Sequence, residues 1–158
     1  MTDRIFEQLA QSYCRLLVSL DWSDQVMVCG IQEGLRKFLS NAYMTLLPGR
    51  QKYYKTQWVS ERALTKLKAR ERGSLVFEHI VPKEKFIQVP CKELAMAGTL
   101  TADIVRALLL KYWQLATITK DEDRRLPRDM PETWDATRVF ARYESVGIVL
   151  VRNPYFPI

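Results

Sequence analysis

A chain of 158 residues with 47% hydrophobic and 27% charged residues has the length of one domain and the composition of a globular protein, which excludes a disordered or fibrous chain. No run approaches the roughly eighteen apolar residues of a membrane helix, and Asp3, Arg4 and Glu7 stand where a signal peptide needs apolar sequence. No membrane partner and a cytoplasmic location are therefore expected. The formal charge of +6 admits acidic partners, and the odd, widely spaced set Cys14, Cys29 and Cys91 reads as buried free thiols rather than a disulfide framework or zinc site.

Taken in chain order, Ile5, Leu9, Leu16 and Leu17 recur at helical spacing and predict an amphipathic helix over 4–18. Asp21 or Ser23 is expected to cap a second helix, whose apolar positions Val26, Cys29, Leu35, Phe38, Leu39, Tyr43 and Leu46 lead to a stop at Pro48 and Gly49. The two form a helical hairpin. Gln51 to Val59 reads as an exposed turn or short irregular strand. Ser60 then opens a helix with a narrow stripe of Ala63, Leu64 and Leu67 that ends near Arg70.

After Gly73, Leu75 to Val81 predicts a short buried strand closed by Pro82. Lys83 to Met96 predicts a helix broken at Pro90, which lacks an amide hydrogen and clashes with a preceding carbonyl. Thr99 or Thr101 caps a helix with Ile104, Val105, Leu108, Leu109 and Tyr112 facing the core. Ala116 to Ile118 predicts a strand ending at Thr119, and Thr119 with Glu122 forms a capping-box pattern for a short helix to Leu126. Val146 to Val151 predicts a final central strand, and the apolar Asn153 to Ile158 tail is expected to pack back on the domain or enter a partner's groove. The fold class is α+β: a mostly helical single domain with a small sheet of short strands, its hairpin (about 4–47) packed on an α+β part (about 59–152).

The basic charge is concentrated. Between Arg50 and Arg72 lie eight basic residues against Glu61 and Glu71, a local surplus equal to that of the whole chain. Such a field attracts phosphate backbones or an acidic protein surface alike. Arg50, Lys52, Lys55, Arg62, Lys66 and Arg70 are the candidate nucleic-acid contacts, with Arg62, Lys66 and Arg70 four residues apart on one helical side. Tyr53, Tyr54 and Trp58 are candidate stacking platforms for single-stranded bases.

Glu78-His79-Ile80-Val81-Pro82 holds the single histidine, an imidazole that can serve as a general base or metal ligand near neutral pH. On a strand, Glu78 and His79 point to opposite faces. Asp121, Glu122 and Asp123 supply carboxylates that favour a helix N-terminus, with Glu122 and Arg125 as a pair across the turn. The five-residue segment 78–82 resembles the first-strand motif of the HNH, or ββα-metal, nucleases, in which an acidic residue precedes His-Ile-Val-Pro. The resemblance implies a base at His79, metal ligation by Glu78 and one of Asp121, Glu122 and Asp123, Mg²⁺ as the ion, and DNA phosphodiesters as substrate.

Two function classes are therefore expected. One is a nucleic-acid-associated protein, as a metal-dependent or degenerate HNH-like nuclease or a binding protein. The other is a small basic interaction protein, such as an antitoxin, immunity protein or inhibitor, bound to an acidic protein surface. No glycine-rich phosphate loop, G-x-S-x-G elbow or HExxH motif occurs, so no organic cofactor is expected.

Overall fold

The computed structural model describes residues 2–157. Its helices are α1 (Thr2–Val18), α2 (Gln25–Leu46), α3 (Glu61–Lys68), α4 (Val89–Met96), α5 (Ala102–Tyr112), α6 (Lys120–Arg125) and α7 (Ala141–Glu144). The strands are β1 (Trp58–Ser60), β2 (Leu75–His79), β3 (Leu115–Thr119) and β4 (Leu150–Arg152). The chain is thus α+β and mostly helical, with one small mixed sheet. Among the described residues no helix is long and apolar enough to cross a membrane. Two compact units result, one running to Pro48 and including Lys83–Tyr112, the other made of Gly49–Pro82 and Trp113–Pro157.

In the helical unit, α1 packs against α2, α4 and α5. Its buried face carries Ile5, Phe6, Leu9, Tyr13 and Leu17, the stripe expected from a 3.6-residue repeat. Phe6 stacks near Tyr43 and Tyr13 near Phe38. The cap of α2 is Asp24, whose carboxylate accepts from the Met27 amide at 3.0 Å. Asp21 is otherwise engaged, accepting from the Ser23 amide and hydroxyl, which moves the helix start beyond both predicted caps. Of the apolar positions assigned to α2, Leu39 and Tyr43 are fully buried whereas Val26 is 84% exposed. The predicted break at Pro90 is met upstream by a π turn over Glu84–Gln88. There the Val89 amide donates to the Glu84 carbonyl, an added residue that sets Pro90 in the first turn of α4, where its missing donor costs little. Thr101 caps α5 through the Ile104 amide.

In the sheet unit the strand order is β2-β3-β1-β4. β3 pairs with β1 in parallel and with β2 antiparallel, and β1 pairs with β4 antiparallel. One face packs Ile80, Ala116 and Ile118 with Tyr143 and Ile148. The other packs Val59 and Leu75 against Ala63 and Leu67 of α3, with Tyr53 and Tyr54 at its margin. The fully buried strand is β3, with a neighbour on each side. The run Val146 to Val151 is not the central strand expected. Gly147 has φ +69° and turns the chain, Val149 is 58% exposed, and only Leu150–Arg152 pairs, at the sheet edge. The tail returns to this unit: Asn153 is buried and donates to the Thr56 carbonyl at 2.9 Å, and Tyr155 meets Tyr54 edge to face.

Candidate nucleic-acid interface

The parallel pair β1 and β3 dictates the site. Both strands point the same way in adjacent positions, and each runs directly into a helix, β1 into α3 and β3 into α6. Two helices therefore start at the same end of the sheet and pack on its two opposite faces, at the carboxyl ends of neighbouring parallel strands, where open α/β sheets place their ligand crevices. The antiparallel β2 begins at that same end, since Leu75 pairs with Thr119, and the Lys120 amide donates to the Ser74 carbonyl at 2.8 Å.

Local chemistry fixes the two helix starts to each other. Ser60 caps α3 by accepting from the Ala63 amide at 3.1 Å. Thr119 and Glu122 form the capping box of α6. The buried Glu122 carboxylate accepts from the Thr119 amide at 2.9 Å and from the Ser60 hydroxyl at 2.7 Å, so one carboxylate ties both caps together. Such charge-assisted bonds are about twice as strong as neutral ones.

Above this junction lies a cleft of about 650 Å³ lined by Arg62, Thr65 and Lys66 of α3, Glu71, Gly73 and Ser74 of the following loop, and Thr119, Lys120, Asp121 and Arg124. Each helix contributes two cations four residues apart, one turn of the same side. The two acids are held by those cations, Glu71 by Lys66 at 3.6 Å and Asp121 by Arg124 at 3.1 Å. The acid partners are 66% and 79% exposed, so both pairs are weak and exchangeable.

The predicted basic residues do not all lie on one surface. Arg62 and Lys66 line the cleft. Arg50 is exposed outside it, and Lys52 is an exposed cation set over the rings of Tyr53 and Phe77 at 5.1 and 5.4 Å. Lys55 is only 7% exposed, which corrects its assignment as a surface phosphate contact. Arg70 also leaves the expected row: α3 ends at Lys68, and Arg70 takes φ +60° in the turn beyond. Lys120 and Arg124 were missed by sequence reasoning, although their four-residue spacing directly after a recognisable capping box is the signal that finds them.

The three predicted stacking residues are half-buried parts of the unit. The Tyr54 hydroxyl donates to the Leu67 carbonyl at 3.3 Å, and Tyr53 packs on the Val59 cluster. The Trp58 indole donates to Gln114 at 3.0 Å, with Phe140 edge-on at 4.7 Å and the Arg152 guanidinium 4.1 Å from its ring centre.

The residues of the nuclease-like constellation are dispersed. His79 is 8% exposed, with the Trp113 ring 4.9 Å away. It pairs with Leu115, at the opposite end of the ladder from the Leu75–Thr119 pair that leads into α6. Four residues of strand, about 14 Å at ~3.4 Å per residue, thus separate His79 from the start of the Asp121 to Asp123 segment. Glu78 points to the other face, where Arg142 donates to it at 3.2 Å. Burial raises its carboxyl above the ordinary range, Arg142 opposes that rise, and the charge of Asp123 adds to it. Glu78 and Asp123 therefore share one environment and His79 another. Glu122 is committed to the caps rather than to the expected pairing with Arg125, and among the described residues no group of three His, Cys, Asp or Glu side chains is placed to hold a metal ion. These donors do not fit the Mg²⁺ site that the HNH resemblance implies.

No protein-family model, curated protein or solved structure matches this chain. Its class is accordingly that of its own architecture, an α+β chain with a basic cleft at the carboxyl ends of two parallel strands.

Proposed function

We propose that this chain binds nucleic acid by holding its phosphates in the cleft between α3 and α6. The observation that carries the reading is the convergence of Arg62 and Lys66 with Lys120 and Arg124 on one concave surface. A guanidinium fork gives bidentate bonds to phosphate oxygens, and lysine adds a mobile point charge. The surrounding surplus, with Arg50 and Lys52 exposed nearby in sequence, supplies the long-range field that steers a polyanion to the cleft. Hydrolysis is not part of this reading, because His79 stands at the far end of the β2–β3 ladder.

The test is fluorescence anisotropy with labelled single- and double-stranded DNA and RNA across a salt series, with and without Mg²⁺. Binding should weaken linearly on a log–log plot as salt rises, since each neutralised phosphate releases counterions. Combined Arg62→Ala and Arg124→Ala substitution should flatten that slope while leaving far-UV circular dichroism unchanged. Absence of binding at low salt rejects the reading and transfers the cleft to an acidic protein partner. Mg²⁺-dependent cleavage lost in His79→Ala would restore the nuclease.

A further inference from the structure

We infer that the cleft recognises a phosphate monoester, the terminal phosphate of a nucleic-acid strand, in preference to a run of internal phosphodiesters; this rests on the nucleic-acid reading above and narrows it. Charge balance is the first ground. Arg62, Lys66, Lys120 and Arg124 face Glu71 and Asp121 within one cleft, which leaves a net charge of +2. A monoester carries about −1.5 to −2 near neutral pH, whereas each diester carries one charge. The cleft's surplus is therefore neutralised by one monoester.

Placement of the acids is the second ground. Glu71 lies against Lys66 and Asp121 against Arg124, so a carboxylate stands beside a cation on each helix side. A strand threaded through the cleft would bring successive phosphates against these carboxylates, a like-charge approach that costs free energy even in a screened setting. A strand that ends there places one phosphate among the cations, and an RNA end adds a 2′-hydroxyl as a donor to the acids.

The third ground is extent. At about 650 Å³ the cleft falls in the range of small-ligand sites, roughly 300–1,000 Å³. Neither Lys55, which is buried, nor Arg70, which is turned off the helical row, prolongs it.

One oligonucleotide sequence, single-stranded and as a duplex, should be compared with a 5′-phosphate, a 3′-phosphate and hydroxyl ends only. A phosphorylated end should bind at least about ten-fold tighter, the value of one charge-assisted hydrogen bond of ~1.5 kcal/mol. Arg62→Gln and Arg124→Gln, both at exposed positions, should each erase that preference without unfolding the chain. A nucleoside 5′-monophosphate should displace the phosphorylated strand where the nucleoside does not; inorganic phosphate displacing it equally well would assign the site to free phosphate and overturn the strand-end inference. The preference should also shrink below about pH 6, where the monoester takes up its second proton. Equal affinity for phosphate and hydroxyl ends would overturn the inference and leave the nucleic-acid reading standing. Binding of neither would overturn both.

Discussion

Replacement of Arg142 by alanine should strongly destabilise the sheet unit at a point away from the cleft. Its side chain is 4% exposed and bridges three parts of the unit. Nη1 donates to the Pro127 and Arg128 carbonyls at 3.0 and 3.1 Å, and Nη2 donates to the Glu78 carboxylate at 3.2 Å and to the His79 carbonyl. Three carbonyls would lose a charged donor, at about 1 kcal/mol net each. Glu78, whose side chain retains 34% exposure, rehydrates in part and adds less than a fully buried partner would. The expected loss is about 3 kcal/mol, the lower end of the ~3–5 kcal/mol seen when a buried pair is broken. Arg142→Lys keeps the charge but not the fork and should lose about 2 kcal/mol. Urea unfolding followed by circular dichroism measures both, with an unchanged m-value as the sign that the loss lies in the folded state. A loss under about 1 kcal/mol for Arg142→Ala would refute the bridging role.

Glu122→Ala removes the carboxylate that both caps share and should cost about 2 kcal/mol or more; stability within ~0.5 kcal/mol of wild type would contradict its structural assignment. Burial raises the Glu78 carboxyl above its ordinary value of 4.5, so above that pH the folded state retains a proton that the unfolded state has released. Its contribution is therefore most favourable below 4.5 and declines as pH rises through the folded value. The stability difference between wild type and Glu78→Gln, measured by urea unfolding over a pH series, should fall with rising pH, and a difference that grows would reverse the sign. Burial pushes the Cys91 thiol up to about 12, while Cys29 is exposed. A thiol reagent near neutral pH should modify Cys29 and spare Cys91 until the chain unfolds, as mass spectrometry of peptides would report; equal rates would refute the assigned burial.

Much of the fold was legible wherever one residue's chemistry settles a boundary. Ser60 and Thr119 announce helix starts because a side-chain oxygen three residues before an orphan amide has little else to bind. Both predicted starts coincide with α3 and α6. The Val146–Val151 run misled because β-branched composition does not tell a paired strand from a turn that buries one apolar side chain. Gly147 at φ +69° carries the turn and Ile148 fills the core. α7 escaped notice because four residues are too few to show a period.

The cleft was half legible. Arg62 and Lys66 stand out in a basic block and Lys120 and Arg124 repeat their spacing, yet nothing local in the sequence says that β1 and β3 run parallel side by side. That long-range pairing, across more than fifty residues, brings the two rows together. The same topology disperses the nuclease-like set, since the antiparallel ladder sends His79 to the end where β3 begins and α6 to the end where it stops. Burial likewise removed Lys55 from a row that composition alone had assigned to the surface.

The most direct measurement is an amide chemical-shift titration of the isotope-labelled chain with a short phosphorylated oligonucleotide at low salt. The largest shifts should fall in α3, in Glu71 to Ser74 and in Thr119 to Arg124, and should fade as salt is added. Shifts centred on His79 and Trp113, or on the helical unit alone, would contradict phosphate binding in the cleft.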